Sequence, residues 1–383
     1  MERHLITSEY PPQGGGVGDY SELIAKGLAA EGETVHVWCP SYGTTQHNVK
    51  GVTVHQELGR IGPADMRRVG RMLDQFPRPR RLLVQWVPHG YGYQSMNLSF
   101  CLWLWQRAKI KHDWIEIMVH EPFLAFGGGS WKQGLVAAVH RTMIVTLLMS
   151  ARRVWVSIPL WETLLRPFAF GRSNLFSWLP VPSNIPVIGN DLGNTELRSR
   201  YASREEIILG HFGAYDSYMT EVMLELVPSL LNQNDQLSVL LLGKGGVGLR
   251  NLLINRRPSL NQRVYATSAL SSEDISRHLS VCDLMMQPYQ DGVSGRRGSV
   301  MAALAHGVPV VTTTGKASEQ CWAESRAVKL VEKTTAMAEA VQSLSADSAE
   351  RRRLGVAGKA LYEKLFDVER TIVTLRAEVS VLS

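Results

Sequence analysis

Cysteine is scarce in this sequence, and its placement argues against two kinds of site. The four cysteines among 383 residues are Cys39, Cys101, Cys282 and Cys321, and none of them stands in CxxC or other metal-ligand spacing. We therefore expect neither a disulfide framework nor a zinc site, and a reducing cytoplasm fits this usage best. The first ten residues also lack the basic segment and apolar core of a signal peptide, which favours a cytoplasmic protein.

Long hydrophobic runs are also lacking. The longest apolar stretch, Leu135–Met149, has 15 residues and contains His140 and Arg141. A spanning helix needs about 20 apolar residues, so we do not expect this segment to cross a bilayer. Two interpretations stay open: a core helix with basic ends, or an amphipathic helix on an anionic membrane, which would place the protein at the inner face of that membrane.

A strong charge of either sign is absent. The sequence holds 41 Lys plus Arg against 35 Asp plus Glu, a net charge of +6. This mild excess favours anionic partners such as nucleotide phosphates or acidic lipid headgroups, and it is too small to indicate nucleic acid.

The length and the pattern of segments predict two α/β domains. A chain of 383 residues exceeds what one hydrophobic core usually spans. Both halves alternate strand-like and helix-like segments, which predicts doubly wound parallel sheets, and the Pro-rich segment Leu179–Asn190 marks the boundary. We predict an N-terminal domain over 1–183, a C-terminal domain over 184–367, and a helix over 368–383 that packs back on the N-terminal domain. Ligands of such sheets bind beyond the carboxyl ends of the strands, so the two domains are expected to face each other across a cleft.

A glycine-rich corner stands near the start, in "YPPQGGGVGDYSELIAKGLAAEG", Tyr10–Gly32. His4–Ser8 is typical of a short buried strand, and apolar residues at helical spacing predict a helix from Gly16 or Val17. Unpaired amides and the helix dipole favour an anion at such a corner, and missing Cβ atoms let it approach closely. The alternative is a plain strand-to-helix turn.

Neither a second glycine-rich segment nor the glycine corner itself matches the nucleotide-binding motif that it suggests. "LLLGKGGVGLRN", Leu240–Asn251, carries Leu249 and Arg250 where a phosphate-binding loop of an ATPase needs Lys and Ser or Thr. "QGGGVGDY" does not fit the dinucleotide fingerprint of a dehydrogenase. Lys244 nevertheless follows a predicted strand, where it would either hold a diphosphate or remain a solvated loop lysine.

The segment "PYQDGVSGRRGSVMAALAHGVPVVTTTG", Pro288–Gly315, predicts a second anion site. Its apolar run indicates a helix that Ser299 caps at the start and Gly307 ends. Arg296 and Arg297 stand at the positive end of that helix, where two like charges repel each other unless an anion or solvent neutralises them.

"PPQGGGVGDYSELIAKGLAAEGETVHVWCP" and "MAALAHGVPVVTTTG" together resemble the retaining glycosyltransferases of the GT-B fold, family four. The resemblance implies two Rossmann-like domains facing across a cleft. It also implies transfer of a hexose, with retention of configuration, from a UDP or GDP sugar to a glycan, glycolipid or small-molecule acceptor, without a cofactor or a catalytic metal. The donor-binding residues that it implies, together with the cations already noted, are Gly14, Gly15, Gly16, Val17, Lys244, Arg296, Arg297, Gly298, Ser299, Thr314 and Gly315.

The sequence departs from this family at several positions. Two glutamates that the family carries eight residues apart correspond to Ser294 and Ala302. With a slightly longer loop, Asp291 would take the place of the first carboxylate near the donor sugar, whereas the ribose-binding second one has no substitute. The Arg and Lys that follow the first strand of the C-terminal domain are missing too, so Arg296, Arg297 or Lys244 would have to supply that charge.

A histidine and three aromatic residues complete the predicted site. His120 ends the strand-like "IMVHEPF" and resembles the family's histidine beside the transferred sugar, the alternative being a structural role. Tyr91, Tyr93 and Trp131 lie in glycine-rich loops whose composition suits acceptor binding and equally suits ordinary surface turns.

Two other functions stay open on the sequence. A nucleotide-sugar epimerase of the same fold would process its donor without an acceptor. A catalytically silent, nucleotide-binding regulatory subunit would explain the missing ribose-binding glutamate.

Overall fold

The computed structural model describes residues 2–13, 15–41, 49–92, 95–127, 130–189 and 191–380. It divides into two compact units, which we call the N-terminal unit (Met1–Pro180 with Thr371–Ser383) and the C-terminal unit (Val181–Arg370). Each unit has a hydrophobic core of its own.

The N-terminal unit is built on a parallel sheet. Its strands within the described residues are β1 Glu2–Ile6, β2 Thr34–Trp38, β3 Val52–His55, β4 Arg81–Trp86, β5 Trp114–Val119, β6 Arg153–Val156 and β7 Phe176–Trp178. They pair in the order β3-β2-β1-β4-β5-β6-β7, and every pair is parallel. The helices are α1 Gly16–Ala30, α2 Pro63–Leu73, α3 Leu98–Ile110, α4 Trp131–Ser150 and α5 Pro159–Leu165. Helices covering both faces explain why the central strands read as nearly continuous apolar runs.

The C-terminal unit repeats this plan. Its described strands are β8 Ile207–Phe212, β9 Leu237–Leu242, β10 Val264–Ala266, β11 Leu284–Gln287, β12 Val310–Thr313 and β13 Lys329–Val331, in the order β10-β9-β8-β11-β12-β13. The helices that follow the boundary are α6 Asp191–Ser199, α7 Ser217–Gln233, α8 Gly246–Arg256, α9 Ser272–Ser280, α10 Gly298–Ala305, α11 Gln320–Ser325, α12 Met337–Ala346, α13 Ser348–Leu361 and α14 Val368–Ser380.

Both sheets reverse their strand order at one point, between β1 and β4 in the N-terminal unit and between β8 and β11 in the C-terminal unit. Ligands of doubly wound sheets bind at such a switch point, outside the carboxyl ends of the strands. The segment after β1 and the segment after β11 therefore lie where each sheet offers a binding site.

The last helix, α14, leaves the C-terminal unit and packs on the N-terminal one. Arg3 of β1 is fully buried and bonds to Glu33 at 3.0 Å, to Glu116 at 3.3 Å and to the carbonyl of Leu375 at 3.2 Å. A buried guanidinium requires such partners, because an unpaired charge inside a protein is costly. The first strand and the last helix are thereby joined in one ionic cluster.

Most predicted elements are present, with one correction at α10. The helix predicted from Gly16 or Val17 is confirmed as α1. The prediction that Ser299 caps the later helix is wrong, because α10 begins at Gly298 with Arg297 as its N-cap residue. The Ser299 hydroxyl is instead 2.8 Å from the hydroxyl of Tyr289.

Candidate functional site

The glycine corner leads from β1 into α1, and a carboxylate of the same chain lies against it. Oε1 of Glu9 accepts hydrogen bonds from the amides of Val17 and Gly18, both at 2.9 Å. The expectation of unpaired amides is therefore wrong at these two positions, since a carboxylate already satisfies the positive end of the helix. Gly14 lies outside the described residues.

Gly15 and Gly16, the N-cap and the first residue of α1, face different surroundings. A Cβ atom on Gly15 would lie 2.4 Å from the carboxylate oxygens of Glu9, so only glycine fits there without moving Glu9. A Cβ atom on Gly16 would meet no atom within 4 Å. Gly16 therefore faces open space at the start of the helix, as the approach of a ligand would require.

His120 follows β5 at the same edge of the sheet and is 9% exposed. Its Nε2 lies 2.8 Å from Oε1 of Gln85, and its ring meets the ring of Tyr20 edge-on, with centroids 4.9 Å apart. Burial lowers the pKa of His120 to about 3, so the imidazole is neutral at physiological pH. With the amide oxygen as acceptor, Nε2 carries the ring proton and Nδ1 remains an acceptor.

Two neighbouring polar groups are buried without a hydrogen-bond partner in the described part of the chain, the Tyr20 hydroxyl and Nε2 of Gln85. A buried polar group left unsatisfied costs about 1–3 kcal/mol, and each such group calls for a water, an ion or a ligand to explain it. The sequence analysis missed both residues. The available signal was Gln85, a polar residue that interrupts the apolar run after Arg81 in β4.

We expect His120→Ala to lower kcat and kcat/KM together, each by about tenfold or more, because a hydrogen bond to the sugar that strengthens in the transition state affects both. Affinity for UDP should stay within about threefold, since His120 would contact the sugar and not the nucleotide. Steady-state kinetics across pH 5–8 should show no ionisation that disappears in the variant, because the buried imidazole does not titrate there.

Glu121→Gln is the matched control for this variant. Glu121 is the next residue, and its side chain is 47% exposed. Its Oε2 lies 3.6 Å from Nδ1 of His89. Normal turnover in His120→Ala, or an equal loss in Glu121→Gln, would make His120 a structural residue.

The three aromatic residues predicted to bind the acceptor have different outcomes in the structure. Tyr91 is fully buried, its hydroxyl donates to the carbonyl of Gln85 at 2.6 Å, and its ring stacks on Trp86 and Phe100. The prediction of an acceptor contact is therefore wrong for Tyr91, which belongs to the core. Tyr93 lies outside the described residues. Trp131, the first residue of α4, is 76% exposed, and its acceptor role stays a prediction.

In the C-terminal unit, Arg297 stands between β11 and α10. Its guanidinium carbon lies 4.7 Å from the ring centroid of Tyr289, and its Nε is buried without a hydrogen bond in the described part of the chain. Arg297 is also the N-cap residue of α10, so the positive end of the helix dipole adds to its charge. Together these features favour an anion next to Gly298 and Ser299.

A buried carboxylate fixes the loop before Arg297. Glu319 accepts from the amide of Gly295 at 2.8 Å and from the indole of Trp322 at 2.6 Å, and burial raises the pKa of this carboxyl. Arg296 lies close enough to oppose that rise electrostatically. The sequence analysis missed Glu319, because its partner Gly295 stands 24 residues earlier in the chain.

The positions that correspond to the two family glutamates carry no charge. Ser294 and Ala302 are fully buried, and the Ser294 hydroxyl has no hydrogen-bond partner among the described residues. Asp291 lies on the same loop, with its side chain 35% exposed and one oxygen 3.2 Å from Nζ of Lys316. Its predicted role near the donor sugar stays a prediction.

The loops that carry Gly292 and Gly315 pack so closely that neither position has room for a side chain. Gly292 has φ +88, and a Cβ atom there would lie 2.2 Å from the amide nitrogen of Gly315. A Cβ atom on Gly315 would lie 2.5 Å from the carbonyl oxygen of Asp291. Gly315 thus serves loop packing whether or not it also touches a ligand. The adjacent Thr314 is exposed and donates its amide to Val331 at 2.9 Å.

Lys244 lies between β9 and α8 and is exposed. Because β9 pairs with β8 and β8 with β11, Lys244 emerges at the same carboxyl edge as the loop that carries Arg297.

The described residues contain no group of three or more His, Cys, Asp or Glu side chains placed to hold a metal ion.

Two family models match the chain, one in each half. Residues 15–175 match the model described as "Glycosyl transferase 4-like domain", and residues 206–347 match that described as "Glycosyl transferases group 1". No curated protein sequence matches the chain.

Solved structures resemble the chain over its whole length. Sucrose-phosphate synthase from Thermosynechococcus elongatus is 16% identical with a TM-score of 0.74, over 100% of this chain and 99% of that one. Anabaena Alr3699/HepE, solved with UDP and glucose, is 16% identical with a TM-score of 0.71, over 100% of both chains. WaaG, a glycosyltransferase involved in lipopolysaccharide biosynthesis, is 13% identical with a TM-score of 0.68, over 98% of both.

Proposed function

The chain belongs to the group 1 glycosyltransferases and has their GT-B fold, and from this premise we propose that it transfers a hexose from a nucleoside diphosphate sugar to an acceptor with retention of configuration. The proposed donor is a UDP or GDP sugar. UDP is the first candidate, because Anabaena Alr3699/HepE has also been solved with UDP-glucose. The proposed acceptor is a glycan, a glycolipid or a small molecule, and the proposed reaction needs no metal.

The unpartnered guanidinium nitrogen of Arg297 is the observation that carries this proposal. A departing diphosphate needs positive charge, and Arg297 supplies it at a helix start beside the switch point of the sheet. Tyr215, which follows β8, has its hydroxyl directed at the backbone carbonyls of His211 and Leu242. It therefore does not replace the basic residues that the family carries after that strand.

In the proposed reaction, the bond from the anomeric carbon to the diphosphate oxygen breaks and a bond to the acceptor oxygen forms on the same face of the sugar. The acceptor proton passes to an oxygen of the departing diphosphate, so no side chain has to act as general base. His120, being neutral, would bind a sugar hydroxyl. Orientation and fixed positive charge would then provide most of the rate enhancement.

Thermal denaturation with UDP, GDP, ADP and dTDP tests the donor site. A ligand at 100 times its dissociation constant adds about 2.7 kcal/mol of stability, which for domains of this size moves the midpoint by roughly 5 to 10 °C. We expect UDP or GDP to produce such a shift in the wild-type chain and a smaller one in Arg297→Ala. If no nucleoside diphosphate shifts the midpoint, the proposed donor site is wrong.

A catalytically silent subunit is the second candidate, and the uncharged Ser294 and Ala302 favour it. Release of UDP or GDP from its sugar distinguishes the candidates. Release that depends on an added acceptor supports a transferase, whereas conversion of the donor sugar without an acceptor supports an epimerase. Nucleotide binding without any turnover across glycan, glycolipid and small-molecule acceptors supports the silent subunit.

A further inference from the structure

Apart from Val373 of α14, the large exposed apolar side chains of the N-terminal unit come from one part of the chain. Among the described residues up to Pro180, the large apolar side chains that are exposed all lie within residues 102–170: Leu102, Ile110, Leu124, Phe126, Trp131, Leu135, Met149, Leu164 and Phe170. Exposed apolar residues that are scattered singly need no explanation, whereas a contiguous patch of them indicates an interaction surface.

The exposed side of helix α4 is mostly uncharged along its length. Its exposed positions include Trp131, Leu135, Ala138, Thr142 and Met149, which follow one another at steps of three, four or seven and so share one side of the helix. Twenty residues of helix extend about 30 Å. A surface helix normally presents several charged residues to solvent, whereas Lys132 is the one charged residue among the exposed positions of α4.

Helix α3 packs against α4, and its own exposed large apolar side chains are Leu102 and Ile110. The two helices meet Phe170 at a cavity of about 490 Å³, lined by Lys109, Leu148, Met149, Phe168, Ala169, Phe170 and Arg172. We call the exposed side chains of α3 and α4, together with Phe170, the apolar face.

The charges on these two helices are of one sign. Neither helix contains an Asp or Glu, and their basic residues are Arg107, Lys109, Lys132 and Arg141. Lys109 and Lys132 are exposed, whereas Arg107 is buried in ion pairs. An apolar face with basic and no acidic residues complements the headgroups and acyl chains of an anionic bilayer.

The packing of α4 favours lying on a membrane over crossing one. By length and composition alone α4 could span a bilayer, yet 39% of its apolar window is buried inside the protein. Met143, Ile144 and Leu147 belong to the core of the N-terminal unit. Leaving that core would expose them, so α4 presents its outer face while its inner face remains packed.

We propose that the apolar face docks on an anionic phospholipid bilayer. In a parallel α/β unit, the helix after a strand begins at the carboxyl edge of the sheet, so Trp131 lies at the same edge as His120. Docking would bring a lipid-linked acceptor to that edge. This consequence for the acceptor rests on the proposed function, and the docking itself does not.

The test is sedimentation of the full chain with vesicles of phosphatidylcholine alone and vesicles in which part of it is replaced by phosphatidylglycerol. We expect binding to the anionic vesicles, weakened by salt, and little binding to phosphatidylcholine alone. The double variant Ile110→Glu, Leu135→Glu should bind about tenfold more weakly or worse, because two apolar side chains that would enter the bilayer become negatively charged. Val356→Glu is the matched control: it is 72% exposed, lies on α13 and should bind like wild type.

Three results would overturn the proposal: no preference for anionic vesicles, equal binding by the double variant, or a wild-type dimer that the double variant loses while neither binds vesicles. The third result would assign the apolar face to a second copy of the chain. The shift of the thermal midpoint by UDP or GDP, measured on the same variants, separates the two proposals. A variant that keeps this shift but loses vesicle binding has an intact donor site and a damaged docking surface.

Discussion

Replacing Gly16 with valine is expected to abolish sugar transfer while leaving the fold intact. A Cβ atom at this position meets no protein atom within 4 Å, so the protein itself can accommodate the side chain. The same space lies at the start of α1, where the proposed donor would approach the backbone of Gly16, although Glu9 already accepts from the next two amides. We expect kcat/KM to fall by about 100-fold or more, because displacing a bound substrate by about 1 Å has effects of that size.

Gly134→Val is the matched control for this prediction. Gly134 also lies near the start of a helix, and a Cβ atom there also meets nothing within 4 Å. Measurement of kcat/KM and of the thermal midpoint for both variants with a water-soluble acceptor checks the prediction. If Gly16→Val transfers sugar as well as the control does, the glycine corner is only a strand-to-helix turn.

Replacing Arg297 with alanine is expected to weaken UDP or GDP binding by about 1.5–3 kcal/mol, roughly 10- to 150-fold, the range for a hydrogen bond to a charged group. The guanidinium stacks on Tyr289, and its buried Nε has no partner in the described part of the chain. Removing it therefore leaves no carboxylate unpaired, so the loss of binding reports on the ligand.

Arg297→Lys and Arg296→Ala sharpen this test. Lysine keeps the charge but lacks the planar fork, so Arg297→Lys should recover only part of the affinity. Arg296 lies near the buried carboxylate of Glu319, which already offsets its charge, so Arg296→Ala should weaken binding less. Titration calorimetry with UDP and GDP measures all three variants. If Arg297→Ala binds UDP and GDP with wild-type affinity, Arg296 or Lys244 must bind the diphosphate instead.

The central strands and two edge strands, β3 and β10, could be predicted from the sequence, whereas the edge strands β7 and β13 could not. Each central strand of both sheets coincides with an apolar segment between turn residues. β7 and β13 have three residues each, which is too short for any periodicity to show. The predicted N-cap residue of α10 was wrong for a different reason. Ser299 is a good N-cap residue by type, but its hydroxyl bonds to the hydroxyl of Tyr289, ten residues earlier in the chain.

In the predicted site, too, the features that depend on neighbouring residues could be predicted, whereas contacts between residues far apart in the sequence could not. The place of His120 after a buried strand follows from the sequence around it. Its partner Gln85 is 35 residues away, and nothing local to either residue indicates their hydrogen bond. Glu9 reaches the amides of α1 only because the chain turns back between them. Tyr91 misled the sequence analysis, since its glycine-rich surroundings suggest a surface loop although the ring stacks in the core.

The ionic cluster of Arg3 has a consequence for the order in which the chain folds as it is synthesised. The guanidinium of Arg3 needs the carbonyl of Leu375, which leaves the ribosome 372 residues later. Synthesis normally lets the first domain of a protein fold first. Here the C-terminal unit, continuous from Val181 to Arg370, has all of its residues available before the N-terminal unit does. Until α14 emerges, Arg3 has Glu33 and Glu116 as partners and lacks the carbonyl of Leu375, so this ionic cluster is complete only after the C-terminal unit has been synthesised.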